Sequence, residues 1–133
     1  MPLGSLPRFG LGTVSDQPDE WTAAIQTALD IGYRHIDSAQ MYGNEQYIGD
    51  GIRASPVSRD EIFLATKTVY PDAPDEPSGT GKAIEASLDR LGFESVGLFY
   101  VHWPVDVYKP EIVLPQFQTA IDEGKIDHVG LCN

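Results

Sequence analysis

Residues 32–45 read Gly-Tyr-Arg-His-Ile-Asp-Ser-Ala-Gln-Met-Tyr-Gly-Asn-Glu. In this stretch an apolar and aromatic run changes to a carboxylate, Asp37, at the end of a predicted strand, and Tyr42 follows it in the next loop. Lys67 closes the next predicted strand, and His102 closes the one after that. Because barrel active sites are built at the carboxyl ends of parallel strands, these four side chains are expected to form one site.

Predicted strands and helices alternate along the chain. Strands are predicted at residues 9–13, 62–66, 96–101 and 128–132, and a further strand, the second in the chain, is predicted to end at Asp37. After Pro18, an apolar stripe at helical spacing predicts the first helix; it consists of Trp21, Ala24, Ile25, Ala28 and Leu29. A second helix is predicted from about Asn44. Gly32 and Gly92 are expected to stop the first and third helices. Pro115 either starts the main body of the fourth helix or breaks its first part.

Repeated strand–helix units of this kind imply right-handed crossovers and a parallel sheet. A doubly wound sheet and a (β/α)8 barrel both satisfy the pattern. The barrel is favoured because the candidate side chains follow strand ends and because Gly10 and Gly12 do not form the G-x-G-x-x-G phosphate turn. A complete barrel needs about 250 residues. The predicted fold class is therefore α/β, a partial (β/α)8 TIM barrel of five parallel strands and four helices in one domain, residues 1–133.

The composition restricts the possible partners. Asp and Glu number 20 against 9 Lys and Arg, for a net charge of −11. This balance argues against a nucleic-acid surface, which needs a basic face. It suggests an acidic, solvated surface and a salt-rich cytoplasm. No apolar run reaches the ~20 residues of a membrane span, so no membrane association is expected. A single cysteine, Cys132, is typical of a protein from a reducing cytoplasm.

The four strand-end residues suit the reduction of a carbonyl group. A phenol has an ordinary pKa near 10 and is a poor proton donor at neutral pH, but a nearby ammonium favours its ionised form. Tyr42 is the candidate general acid, Lys67 the candidate cation, and Asp37 the group that orients it. His102 is expected to polarise the substrate carbonyl. Because no side chain donates a hydride, a nicotinamide cofactor is the natural source.

Each residue taken alone has a structural interpretation. A strand-end Asp or Lys is commonly half of an ion pair, Tyr42 alone is a possible rim aromatic, and a lone histidine is usually a core residue. The joint pattern favours function. Trp103 is interpreted as a wall of the substrate pocket, together with the loop from Thr68 to Thr80. No metal site is predicted, because the histidines lack paired ligand spacing.

The chain resembles the aldo-keto reductase family. The resemblance rests on the motif of residues 32–39, on Tyr42-Gly43-Asn44-Glu45 with Gly49, and on Gly10-Leu11-Gly12-Thr13, Thr66-Lys67, Ser87-Leu88, Arg90-Leu91-Gly92 and His102-Trp103-Pro104. Gly124-Lys125-Ile126 and Val129-Gly130-Leu131-Cys132-Asn133 match as well. It departs from the family pattern at Val14, Gly97 and Cys132, where tryptophan, aspartate and serine are common.

This resemblance implies a (β/α)8 barrel that uses NADPH without a Rossmann fold and reduces small aldehydes or ketones to alcohols. It implies a catalytic tetrad of Asp37, Tyr42, Lys67 and His102. Thr13, Asp37 and Asn133 match family positions that contact the nicotinamide end of the cofactor. In the family, later strands and loops bind the cofactor's pyrophosphate and 2′-phosphate, so residues 1–133 correspond to the N-terminal half of the barrel.

The 133-residue chain alone is therefore expected to have little or no reductase activity. Its first and fifth strands would expose open edges, and self-association through these edges is expected. Two interpretations without catalysis remain beside the enzyme. One is a regulatory subunit that binds the cofactor, and the other is a remnant with no activity of its own.

Overall fold

The computed structural model describes residues 6–68, 79–104 and 109–133 of the chain. The described residues form five strands and four α-helices in alternation. In chain order they are β1 Leu11–Gly12, α1 Trp21–Asp30, β2 His35–Asp37, α2 Glu45–Ala54, β3 Phe63–Thr68, α3 Gly79–Leu91, β4 Val96–Val101, α4 Pro110–Asp122 and β5 Ile126–Leu131. A 3-10 turn, Gln40–Tyr42, lies between β2 and α2.

The five strands form one parallel sheet in the order β1-β2-β3-β4-β5. A doubly wound sheet reverses its strand order at a switch point, whereas the strands of a (β/α)8 barrel follow one another in sequence. The observed order is sequential throughout, which confirms the barrel architecture. Most of the core lies between the sheet and its helices, while Phe63, Ala65 and Leu98 form a second buried cluster on the other face of the sheet.

Helices α1 and α3 are each followed by a glycine that permits a left-handed turn. After α1, Gly32 has φ +105°, and the amides of Gly32 and Tyr33 donate to the carbonyls of Leu29 and Ala28. Gly92, with φ +70°, plays the same part after α3. Both predicted helix ends are confirmed, because only glycine adopts this conformation without steric cost. Within the described ranges, no helix has both the length and the apolar character needed to cross a lipid bilayer.

Several predicted details differ in the structure. Strand β3 continues to Thr68, so Lys67 lies inside the strand and not at its last position. Ala24, predicted on the buried stripe of α1, is exposed. Helix α4 runs unbroken through Pro115. The hydrogen bond that Pro115 cannot donate would go to the carbonyl of Glu111, an exposed residue in the first turn of the helix, where water can replace it.

Helix α2 packs closely against both of its neighbours because two of its positions are glycine. A Cβ atom on Gly49 would overlap the carbonyl oxygen of Leu91 in α3, and one on Gly51 would lie 2.7 Å from Cβ of Ile25 in α1. The spacing of α1, α2 and α3 therefore depends on the absence of a side chain at Gly49 and at Gly51. It brings α3 close enough for its polar side chains to reach the segment that carries Tyr42.

Replacement of Gly49 by alanine is expected to destabilise the protein by about 1–3 kcal/mol, because the new methyl group forces α2 and α3 apart. Gly81→Ala is the matched control, since it also adds a methyl group to a helix but, among the described residues, meets its nearest neighbour, Oε1 of Gln116, at 3.9 Å. Urea unfolding of the two variants and the parent gives the measurement. Equal stability of Gly49→Ala and Gly81→Ala would contradict the close-packing argument.

Candidate active site

The four predicted residues lie together at the carboxyl ends of β2, β3 and β4. Asp37 is the last residue of β2, Lys67 is the penultimate residue of β3, and His102 directly follows β4. Tyr42 is the last residue of the 3-10 turn after β2. The strand register pairs Asp37 with Ala65, so Lys67 stands two residues further toward the carboxyl end and its long side chain reaches back to Asp37.

The Lys67 ammonium is held by two oxygen atoms. Its Nζ atom donates to Oδ1 of Asp37 at 2.8 Å and to the backbone carbonyl of Ser38 at 2.7 Å. Lys67 is only 6% exposed, so its charge would be costly without such partners. The same Nζ lies 5.2 Å from the centroid of the Tyr42 ring. No sequence pattern singles out the Ser38 carbonyl, because every residue carries one.

His102 lies beside Tyr42. Their ring centroids are 5.9 Å apart in an edge-to-face arrangement, and Trp103 stacks on the imidazole at the same centroid distance. Nδ1 of His102 is buried and has no hydrogen-bond partner among the described residues. Burial lowers the pKa of His102, and the charge of Lys67 lowers it further, while Asp37 opposes the change. At neutral pH the imidazole is therefore uncharged and able to donate one hydrogen bond.

A second phenol, Tyr100, also lies near the ammonium. Its ring centroid is 5.8 Å from Nζ of Lys67, and Lys67 and Tyr100 are register partners on β3 and β4. Burial raises the pKa of Tyr100, and the negative charge of Asp37 adds to the effect, as does the Cys132 thiol once it is ionised at high pH. Alternation along β4 is the signal that could have identified it, since Tyr100 stands two residues before His102 and shares its face.

Asp37, one of the three residues assigned to the cofactor, belongs to the tetrad, and the other two lie beside it. Oγ1 of the buried Thr13 donates to the backbone carbonyl of Asp37 at 3.1 Å. Nδ2 of Asn133 donates to the backbone carbonyl of His102 at 2.8 Å. Thr13 and Asn133 thus reach the backbone of Asp37 and of His102 from the outer strands of the sheet.

Cys132 stands next to Asn133, and its Sγ lies 3.3 Å from the same His102 carbonyl. Burial raises the pKa of this thiol, so it is neutral at physiological pH. A neutral thiol is a weak hydrogen-bond donor and a poor nucleophile. Cys132 therefore adds a small, uncharged surface beside the tetrad.

Trp103 is the predicted pocket wall. It is 42% exposed, and its indole covers one face of the His102 ring. An exposed indole next to the candidate hydrogen-bond donor is a suitable wall for a small apolar substrate. The loop from Thr68 to Thr80 was predicted to line the same pocket, and its residues 69–78 lie outside the described residues.

Comparison with known proteins identifies the family. Residues 8–133 match the model of the Aldo/keto reductase family, so the chain belongs to the aldo-keto reductases and the resemblance seen in the sequence is confirmed. A Yersinia pestis protein named methylglyoxal reductase DkgA is 35% identical over 96% of this chain and 45% of its own length. The chain spans about half the length of the curated relatives it matches.

Solved structures agree with this assignment. The crystal structure of an aldo/keto reductase from Brucella melitensis superposes with a TM-score of 0.85 at 34% identity, covering 96% of this chain and 50% of that one. A Bombyx mori aldo-keto reductase, solved in complex with NADP, gives a TM-score of 0.83 at 29% identity over 95% of this chain and 46% of its own. The described strands and helices therefore match about half of a reductase barrel.

The neutral state of His102 leads to a pH prediction. The folded-state pKa lies below the ordinary value of 6.5, so the folded protein binds fewer protons than the unfolded chain below that pH. The contribution of His102 to the free energy of unfolding is complete above pH ~6.5 and is lost as the pH falls through the folded pKa.

Removing the nearby positive charge with Lys67→Met should raise the His102 pKa, as measured by NMR titration of its imidazole.

Lys125→Met is the matched control for that titration. Lys125 forms ion pairs with Glu85 and Glu123, and it is not among the groups that change the pKa of His102. This variant should leave the His102 titration unchanged. If Lys67→Met also left it unchanged, the electrostatic contact between Lys67 and His102 would be disproved.

Proposed function

We propose that this chain carries the catalytic groups for NADPH-dependent reduction of aldehydes and ketones to alcohols. One observation carries the proposal. The Lys67 ammonium, fixed by Asp37 and the Ser38 carbonyl, lies against the Tyr42 ring, and neutral His102 packs edge-to-face with that ring. A proton donor, a charge that stabilises its conjugate base and a second hydrogen-bond donor are thus close together.

Each residue has a role in this scheme. Tyr42 gives its phenolic proton to the carbonyl oxygen as negative charge develops there. The Lys67 ammonium stabilises the phenolate that remains, and Asp37 orients the ammonium through its hydrogen bond. His102 donates a hydrogen bond to the same carbonyl oxygen and so stabilises the developing alkoxide. NADPH, when bound, supplies the hydride that reaches the carbonyl carbon.

The residues present suit the nicotinamide end of the cofactor. A carboxamide needs both donors and acceptors, and Asn133 supplies an amide whose Oδ1 is left as an acceptor after Nδ2 bonds His102. Thr13 is fully buried and donates to the Asp37 carbonyl, so it would act at this end by holding the backbone of Asp37 in place. We assign Thr13, Asp37 and Asn133 to this end of NADPH. The phosphate groups of the cofactor are assigned to parts of the barrel beyond the matched half.

The substrate is proposed to be a small molecule with a carbonyl group, bound against Trp103. The name of the Yersinia pestis relative makes methylglyoxal the first compound to assay. Residues 1–133 would act as the N-terminal half of the barrel domain, with the open edges of β1 and β5 as the place where further strands, or a second copy of the chain, pair.

Turnover by the full-length gene product tests the proposal. Tyr42→Phe removes the proton donor and should reduce kcat by about 10²–10⁴-fold, the usual contribution of general acid catalysis. Tyr47→Phe, a half-buried tyrosine on α2, is the matched control and should retain activity. If Tyr100→Phe lost activity while Tyr42→Phe retained it, Tyr100 and not Tyr42 would be the proton donor, and the proposed role of Tyr42 would be wrong. Cofactor binding without turnover in the parent would favour the regulatory subunit.

The isolated 133-residue chain is expected to bind NADPH poorly and to show no steady carbonyl-dependent oxidation of it, because it would provide only the nicotinamide contacts. Titration with NADPH, followed by quenching of Trp21 and Trp103 fluorescence, measures the affinity. A Trp103→Phe variant corrects for light absorbed by NADPH. Saturable micromolar binding together with steady turnover would contradict this expectation and would mean that half a barrel suffices.

A further inference from the structure

The segment that carries Tyr42 is joined to α3 on its amino-terminal side. Gln40 begins the 3-10 turn that ends at Tyr42, and its Nε2 atom donates to the backbone carbonyl of Ala83 at 2.8 Å and to Oγ of Ser87 at 2.9 Å. Both acceptors belong to α3, and Ser87 is fully buried. The start of the turn therefore depends on the position of this helix.

On the carboxyl-terminal side, the same segment is held by a buried carboxylate, Glu45. This residue follows Tyr42 by three positions and is 1% exposed. Its Oε1 accepts a hydrogen bond from Oγ1 of Thr66 at 2.6 Å, and its Oε2 accepts one from Nε of Arg90 at 2.7 Å. A carboxylate at this depth is tolerated only with such partners. None of these contacts involves the tetrad.

Thr66 directly precedes Lys67 on β3. Successive side chains of a strand point to opposite faces, so Thr66 meets Glu45 on the helix side while Lys67 meets Asp37 on the other side. The bond between Thr66 and Glu45 thus joins the backbone that carries Lys67 to the backbone that carries Tyr42. Any slip between these two backbones would change the 5.2 Å separation of the ammonium and the ring.

We propose that Glu45, held by Thr66 and Arg90, is a positioning residue that sets the placement of the Tyr42 phenol relative to the Lys67 ammonium. Arg90 completes the arrangement, because its Nη2 also donates to Ser87, the residue that accepts from Gln40. Helix α3 thereby holds both ends of the Tyr42 segment. The inference rests on the proposed function, in which Tyr42 and Lys67 act together.

The test measures the Tyr42–Lys67 contact directly in the full-length protein. Protons beside an aromatic ring face shift upfield in NMR, so the ε-methylene group of Lys67, observed with 13Cε-lysine and assigned with Lys67→Arg, reports the position of the ring. Tyr42→Leu defines the shift without this ring, which separates its effect from that of Tyr100. Thr66→Val keeps the shape of the side chain and removes the hydroxyl, Thr66→Ser keeps the hydroxyl, and Glu45→Gln removes the charge.

In Thr66→Val and Glu45→Gln the Lys67 signal should move toward its position in Tyr42→Leu, and Thr66→Ser should restore the parent value. Turnover should show the matching pattern, with kcat falling about tenfold or more and KM little changed, because misplaced catalytic groups slow the reaction without touching the substrate. Phe117→Leu, a buried change on α4, serves as a comparably destabilised control and should keep the parent shift.

A parent-like Lys67 shift in both Thr66→Val and Glu45→Gln, with stability lowered as in Phe117→Leu, would overturn the proposal and leave Glu45 a purely structural residue. If Glu45→Gln does not fold, the isosteric Thr66→Val decides the question. The NMR signal does not require turnover. A failure of the proposed chemistry, seen as full activity in Tyr42→Phe, is therefore distinguishable from a failure of this inference.

Discussion

Lys67 carries a positive charge in a position where only 6% of the residue is exposed, and the geometry of the site follows from the need to satisfy that charge. An ammonium removed from water requires close oxygen partners. Asp37 provides one and the Ser38 carbonyl provides the other, and both belong to the neighbouring strand or its end. The contact exists because β2 and β3 are parallel and in a register that leaves Lys67 just beyond Asp37.

The two faces of β3 make different kinds of contact. On the helix side, Thr66 binds Glu45 and so connects the strand to α2 and α3. On the other face, Lys67 contacts Asp37 and the Tyr42 ring. Because adjacent residues of one strand cannot move independently, the bond between Thr66 and Glu45 on the helix side restrains the backbone that carries Lys67. The close approach of α3, permitted by Gly49, is what brings Arg90 within reach of Glu45.

Much of this arrangement could be predicted from the sequence, and the rest depends on contacts between distant residues. Strand β4 was predicted at its observed bounds because a continuous apolar run has clear limits, and Gly32 and Gly92 mark helix ends by local steric rules. Lys67 was expected at the end of β3, because a charged residue after an apolar run is typical of a strand end, but the strand continues to Thr68. The bond between Glu45 and Thr66 spans 21 positions and has no local signal.

The site contains two phenols whose ring centroids lie within 6 Å of one ammonium, and their positions favour Tyr42 over Tyr100 as the proposed proton donor. Tyr100 lies on β4 two residues before His102, about 6.6 Å deeper along the strand at ~3.3 Å per residue. Its ring is packed against Gly130, where a Cβ atom would lie 2.5 Å from Cδ1 of Tyr100, and burial holds its pKa above the ordinary value. Tyr42 stands beyond the strand end and beside His102, on which the exposed Trp103 also stacks. In the proposed reaction, a carbonyl oxygen bound by His102 at the open end of the sheet would meet Tyr42 first, while Tyr100 would remain a half-buried, protonated neighbour of the ammonium.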